Sequence, residues 1–173
     1  LPTEAVEALL ATLAAEDNPD RPPHPRRWRE RDHAMVLTDL TTAARASELC
    51  GINFGDITAP YSDGQARQLL IRGKGRKERS LTIEAPVVQV LEKYLRTRIH
   101  REGDNKGTPR EDDIWSLWAP EQALFIQVGG KRATPGMFYR RLENAYKEAG
   151  ITAHRADGAL PHQLRHTVAT MLA

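Results

Sequence analysis

Three side chains near the end of the sequence, His162, Arg165 and His166, have the types and spacing needed to handle a phosphate group. At about 100° per residue they share one face of a predicted helix that begins at Pro161, and an aliphatic stripe occupies the opposite face. The positive end of a helix attracts an anion, a guanidinium matches phosphate oxygens, and an imidazole exchanges protons near neutral pH. The pattern favours a bound phosphodiester, although the spacing alone is also typical of a solvent-facing surface.

A metal site is the alternative for this helix, because His162 and His166 stand four residues apart. In the zinc protease pattern a Glu directly follows the first His as general base, whereas here that residue is Gln163. The positive charge of Arg165 between the histidines would also oppose a dication. We therefore expect no metal at this position.

Residues 67–79 form a basic strip in an otherwise balanced sequence with a net charge of +2. Such a strip is typical of nucleic-acid binding, but lysines also protect an exposed edge strand from aggregation, and charge alone leaves both open. The strip holds one acid, Glu78, and six basic residues: Arg67, Arg72, Lys74, Arg76, Lys77 and Arg79.

The elements that must position these residues are predicted from periodicity and from turn residues. The first helix has Thr3 as its cap, the second ends at Gly51, and Pro86 opens the third. A Gly-Lys-Gly turn joins two β-prone runs, Gln68–Arg72 and Arg79–Ile83, into a hairpin. The segment "INFGDI" adds a short extended piece, and "ALFIQV" is expected to be one more short strand or a buried connector. The fold class is therefore α+β, mainly helical with a small three-stranded antiparallel sheet at one edge. Helices are predicted at 3–15, 31–50, 86–100 and 134–151, and from Pro161 onward.

Length and composition indicate one globular domain. The 173 residues are 40% hydrophobic, and no stretch approaches the roughly 20 apolar residues of a membrane span. A lone cysteine, Cys50, excludes an internal disulfide and fits a reducing cytoplasm, and its apolar neighbours predict that it is buried. Because the sequence starts at Leu1, we expect a piece of a longer protein.

Three stretches, in the family's own order, resemble the tyrosine recombinase (phage integrase) family. The segment "TTAARASELCGINFGDI" resembles its Thr-Gly-Leu-Arg-x-Ser-Glu-Leu motif, with Ala43 and Ala44 in place of Gly-Leu. The segment "IRGKGRKERSLTI" resembles its β-hairpin, and "LPHQLRHTVATML" is similar to its Pro-His-x-Leu-Arg-His helix. The resemblance implies that residues 1–173 are a catalytic domain without the family's N-terminal core-binding domain and its C-terminal nucleophile segment.

The resemblance also implies roles for the matching residues. Arg45 and Arg165 would hold the non-bridging oxygens of the scissile phosphate, Lys74 would protonate the leaving 5′-oxygen, and His162 would assist proton transfer. Fixed donors aimed at developing charge lower such a barrier by on the order of 3 kcal/mol each. For Arg45 the alternative is a helix ion pair, and for Lys74 it is an exposed turn lysine.

The supporting positions implied by the resemblance are Glu48 and His166. Further basic side chains are expected to contact DNA phosphates or to be merely solvated. These are Arg76, Lys77, Arg79, Lys131 and Arg132.

The implied function is cleavage and rejoining of double-stranded DNA through a 3′-phosphotyrosine, with no cofactor, no metal and no membrane. The four tyrosines, at positions 61, 94, 139 and 146, match no nucleophile position, and Tyr139 and Tyr146 are expected to pack in the core. We therefore expect this piece to be monomeric and inactive in cleavage, and the intact protein to be a cytoplasmic homotetramer on DNA. The alternatives are a degenerate DNA-binding accessory protein and a metal hydrolase.

Overall fold

The computed structural model describes residues 2–15, 27–58, 66–102 and 114–151. The predicted C-terminal helix with His162, Arg165 and His166, and most of the polar segment 101–113, lie outside the described residues. The α-helices of the described part are α1 (Thr3–Ala14), α2 (Arg29–Thr42), α3 (Ala46–Gly51), α4 (Ala85–Glu102) and α5 (Pro135–Glu148), and its strands are β1 (Arg67–Arg72) and β2 (Glu78–Ile83).

Helix α2 lies at the centre of the fold and contacts α1, α3, α4 and α5. Its apolar face is fully buried at Met35 and Val36, and Leu9 of α1 and Leu95 of α4 are buried in the same hydrophobic cluster. The predicted first helix is confirmed, but Thr3 is not its cap, because Pro2 precedes the helix and no side chain accepts a capping hydrogen bond. The predicted helices at 86–100 and 134–151 are also confirmed, as α4 and α5.

The prediction of one continuous helix from 31 to 50 is wrong, because the chain breaks at Ala43. This residue adopts the left-handed conformation with φ 49°, and its N–H still closes α2 by donating to Asp39 O at 2.9 Å. The chain is then extended at Arg45 before α3 begins, and Gly51 is the last residue of α3 rather than a cap beyond a longer helix. A periodic apolar pattern continues across such a break, so periodicity could not detect it.

The predicted hairpin is confirmed, with antiparallel register from Arg67↔Ile83 to Arg72↔Glu78. The predicted third strand is wrong for the described residues, where the sheet has two strands. The segment "INFGDI" makes a single bridge to the hairpin, from Ile57 to Leu69, because residues 54–56 coil into a turn of 3-10 helix. This coiling limits the extended backbone available for pairing.

Three side chains with reactive groups are buried in or beside the core. Cys50 is 3% exposed, which confirms its predicted burial, and this burial raises the pKa of its thiol to about 11. Tyr146 is buried on α5 as predicted, but Tyr139 is 43% exposed, so its predicted packing in the core is wrong. Tyr94 is buried and donates its hydroxyl to Leu124 O at 3.1 Å.

Two arginines that sequence analysis did not single out are also buried. The side chain of Arg98 is 3% exposed, donates to Ala123 O at 2.8 Å, and lies 5.0 Å from the ring centre of Trp118. Arg31 is buried against Trp28 and pairs with Asp32 at 2.6 Å. A charge in the core requires such partners, because an unpaired buried charge is costly.

Among the described residues, no helix combines the length and the apolar character needed to cross a bilayer.

Candidate active site

Arg45 lies at the junction between the left-handed residue that ends α2 and the first turn of α3. Its backbone N–H donates to Glu48 Oε2 at 3.0 Å, and its Nη1 donates to Glu48 Oε1 at 3.1 Å. The Glu48 side chain is 5% exposed, whereas that of Arg45 is 66% exposed. The ion pair considered as an alternative for Arg45 is therefore formed, and it holds a guanidinium whose outer side remains accessible to an anion.

Glu48 also connects α3 to the hairpin. Arg79, on β2, donates its Nη2 to Glu48 Oε2 at 3.2 Å. Burial raises the pKa of the Glu48 carboxyl, but the hydrogen bonds from the Arg45 backbone and from the Arg79 and Arg45 side chains, with the charge of Arg79, outweigh this effect, so the pKa lies below its ordinary value. The carboxylate is thus ionised at neutral pH and binds both arginines.

Lys74 occupies the turn of the hairpin, where it is exposed. The turn closes through Gly73 N–H, which donates to Lys77 O at 2.7 Å, and it contains Gly75 at φ 74°. Gly73 lies directly against the carboxylate of Glu48, because a Cβ placed on it would stand 3.2 Å from Glu48 Oε1. The turn that carries Lys74 is therefore adjacent to the Arg45–Glu48 pair.

The basic strip 67–79 is only partly available for an external polyanion. Arg67 is buried and lies 4.5 Å above the ring centre of Trp115, and Arg72 pairs with the buried Asp56. Arg79 is bound to Glu48, as described above. Lys74 and Lys77 remain exposed, and the side chain of Arg76 lies outside the description.

The remaining predicted DNA contacts, Lys131 and Arg132, lie after a tight turn at Gly130. Lys131 is exposed, whereas Arg132 donates to Cys50 O at 3.0 Å and to Asn53 Oδ1 at 2.6 Å. A cation on the last carbonyls of a helix is stabilising, so Arg132 fixes the end of α3. Its contact with DNA stays a prediction.

The structure thus brings together Arg45, Glu48, Arg79 and the turn that carries Lys74. The pairing of Arg79 and Arg72 with buried carboxylates was missed from the sequence, because it depends on which elements pack together. The predicted partners His162, Arg165 and His166, and with them the metal alternative for that helix, lie outside the described residues. Within the described part, no three His, Cys, Asp or Glu side chains group in a way that could hold a metal.

This arrangement defines a class of site: an exposed arginine, fixed by a buried carboxylate, beside a glycine-flanked lysine turn. The comparisons with known proteins agree with that class. The model of the phage integrase family matches residues 1–173. The chain belongs to the phage integrase family.

Similar proteins include tyrosine recombinases of several bacteria. Tyrosine recombinase XerD of Mycobacterium leprae (strain TN) is 32% identical over 176 residues, which cover 99% of this chain and 47% of that protein. Tyrosine recombinase XerC of Myxococcus xanthus is 34% identical over 142 residues, which cover 82% of this chain and 41% of that protein. The chain therefore spans about half the length, or less, of these relatives.

Solved structures establish the fold. The pre-cleavage complex of XerH site-specific recombinase bound to difH substrate matches with a TM-score of 0.68 at 24% identity, over 99% of this chain and 42% of that chain. XerA recombinase matches with a TM-score of 0.63 at 22% identity, over 99% of this chain and 49% of that chain.

Proposed function

We propose that residues 1–173 are the phosphate-binding part of the catalytic domain of a site-specific DNA recombinase that acts through a 3′-phosphotyrosine. The observation that carries the proposal is the exposed guanidinium of Arg45, held by the buried Glu48 beside the turn of Lys74. The XerC and XerD relatives, which are tyrosine recombinases, support the same activity.

The chemistry assigns a different task to each group. In the attack, an oxygen–phosphorus bond forms from a tyrosine and the bond from phosphorus to the 5′-oxygen breaks. Arg45 stabilises the non-bridging oxygens, because a guanidinium stays charged and binds two oxygens at once. Lys74 gives the departing 5′-oxygen its proton, which an arginine cannot do. The predicted partners Arg165 and His162 complete the same clamp.

The attacking tyrosine is proposed to be none of the tyrosines that the structure describes. Burial raises the pKa of Tyr94 to about 12 and also raises the pKa of Tyr146, so both hydroxyls stay protonated inside the core. Tyr139 is exposed on α5, and the family resemblance gives it no nucleophile position. Because the family resemblance gives no nucleophile position to Tyr61 either, we propose that the 173-residue chain forms no covalent link to DNA by itself.

Double-stranded DNA is the proposed partner, and the XerH complex with its difH substrate provides the precedent. Among the described basic residues, Lys74, Lys77 and Lys131 are exposed and suited to phosphate contacts. Binding should weaken steeply with salt, because counterions released from the phosphates drive it. We propose a tetramer on DNA for the full-length protein and a monomer for this chain.

The test is to incubate the full-length protein with nicked duplex DNA and to look for a covalent adduct on the 3′-phosphate together with a free 5′-hydroxyl. An adduct that forms without added metal or nucleotide is expected. Salt-dependent binding with no adduct would favour the DNA-binding accessory protein, and activity that a chelator abolishes would favour a metal hydrolase. The 173-residue chain serves as the matched control, and an adduct formed by this chain alone would contradict the proposal.

A further inference from the structure

Two arginines bracket the turn of Lys74, and each is bound to a buried carboxylate of another element. Arg72 ends β1 and pairs with Asp56, and Arg79 on β2 pairs with Glu48 at 3.2 Å. The side chains of Asp56 and Glu48 are 3% and 5% exposed. Ion pairs to buried carboxylates are unlike the solvated charges expected of a basic strip on an edge.

The two carboxylates share a second feature, which fixes them independently of the hairpin. Each accepts the backbone N–H of the residue three positions before it: Glu48 from Arg45 at 3.0 Å, and Asp56 from Asn53 at 2.8 Å. The carboxylates are therefore held by their own helical turns, and the hairpin arginines bind to acceptors that are already in place. Charge-assisted hydrogen bonds of this kind are stronger than neutral ones.

We propose that Arg79 is a positioning residue, which holds the hairpin on Glu48 and thereby places the Lys74 turn beside Arg45. This inference rests on the proposed function and refines it, because Arg79 was expected to contact DNA. Arg79 is 40% exposed and directs its Nη2 at the carboxylate that also binds Arg45. The Glu48 carboxylate thus joins Arg45, which would hold the phosphate, to β2, the strand that follows the proposed proton donor Lys74.

The turn needs such an anchor because of its composition. It contains two glycines, one of them at φ 74°, and Gly73 N–H donates to Lys77 O across it. Loss of the Arg79 side chain would leave both hydrogen bonds between Arg45 and Glu48 in place. The expected defect is therefore selective: the phosphate clamp stays, and proton donation to the leaving oxygen is impaired.

This selectivity can be measured with two nicked substrates that differ in one atom. In the second substrate, sulfur replaces the 5′-oxygen of the scissile phosphate. When the phosphorus–sulfur bond breaks, the sulfur leaves as a thiolate and needs no proton, because thiols have a pKa of about 8.5. A variant impaired in proton donation is slow on the oxygen substrate and recovers on the sulfur substrate.

For Arg79→Ala in the full-length protein, we expect adduct formation about ten-fold slower on the oxygen substrate, in line with the cost of a displaced catalytic group. On the sulfur substrate its rate should match that of the unaltered protein. Arg79→Lys should show a smaller defect with the same recovery, and it replaces the alanine variant if that variant does not fold. Lys74→Ala should show the largest recovery.

Lys77→Ala is the matched control, because it removes an exposed positive charge from the same turn. This variant should change the rate of adduct formation equally on both substrates, because it acts through DNA affinity. The inference alone is overturned if Arg79→Ala is slowed equally on both substrates, if its defect disappears at saturating protein, or if it shows no defect. If Lys74→Ala does not recover on the sulfur substrate, the proposed role of Lys74 as proton donor is overturned, and the inference with it. No adduct from the unaltered protein overturns the proposed function as well.

Discussion

The arginines of the core and those around Glu48 differ in how much of the side chain stays exposed. Arg98 is 3% exposed, donates to the carbonyls of Ala123 and Leu124, and pairs with Glu102 at 3.1 Å. Arg45 is 66% exposed and binds Glu48 through Nη1. The same residue type thus joins elements of the core in one region and presents a charge to the exterior in the other.

This difference shows that counting charges along the sequence is a poor guide to a polyanion site. The strip 67–79 has six basic residues, yet Arg67 and Arg72 are engaged with Trp115 and Asp56 in the structure. The fraction of each side chain that stays exposed decides whether its positive charge remains accessible, since Arg67 is buried whereas Arg72 is 52% exposed. Variants that remove an arginine from either region should therefore separate stability from activity.

The largest expected effect on stability is that of Arg98→Ala. It removes a buried charge and leaves the side chain of Glu102 without this partner, so we expect a loss of about 3 kcal/mol in the free energy of unfolding. Arg45→Ala should cost less, about 1 kcal/mol, because the buried Glu48 keeps its hydrogen bonds from the backbone N–H of residue 45 and from Arg79. Urea unfolding of both variants measures the comparison, and equal losses would show that the two regions do not differ in this way.

The next effect, for Glu48→Gln, depends on pH. The folded state holds the pKa of Glu48 below its ordinary value of 4.5, so the ionised carboxylate stabilises the fold above that pH. The contribution is lost as the pH falls through the lowered pKa. We expect Glu48→Gln to cost about 1–3 kcal/mol at pH 7 and less at acidic pH.

Unfolding of the unaltered chain and of Glu48→Gln across this pH range provides the measurement. A difference between them that stays constant with pH would show that the carboxylate is not held in its ionised form.

The smallest effect should be a gain in stability from Ala43→Gly. Ala43 has φ 49°, a conformation that costs an L-residue roughly 1–2 kcal/mol, and glycine adopts it freely. After the greater entropy of glycine in the unfolded chain is subtracted, we expect a gain of about 0.5–1 kcal/mol. Ala44→Gly is the matched control and should destabilise, since Ala44 is fully buried and does not have positive φ. Thermal unfolding that ranks the two variants the other way would contradict this explanation.

Local patterns predicted α1, α4, α5 and the hairpin, because each depends on nearby residues. The apolar stripe of α1, the proline in the first turn of α4 and the Gly-Lys-Gly turn all lie within one element. The left-handed residue at Ala43 was missed, although the family motif has Gly at that position, and the prediction treated Ala43 as an ordinary helical residue. A substitution of Ala for Gly in a motif can thus conceal the end of a helix.

The parts of the candidate site that were missed depend on contacts between distant residues. Arg79 and Glu48 are 31 positions apart, and Arg72 and Asp56 are 16 apart, so no local period connects them. Arg132 was expected at DNA, yet the structure places its guanidinium on carbonyls 80 and 82 positions away. Only the packing of α3 against the hairpin and the segment after Gly130 reveals which acceptors these arginines reach.

The most direct test of the central claim is the rate of covalent adduct formation by full-length Arg45→Ala on nicked duplex DNA. If Arg45 stabilises the phosphate as proposed, its loss should slow adduct formation by at least roughly a hundred-fold. Folding and most of the DNA affinity should remain. A variant that folds, binds DNA and forms the adduct at nearly the normal rate would contradict the assignment of this site.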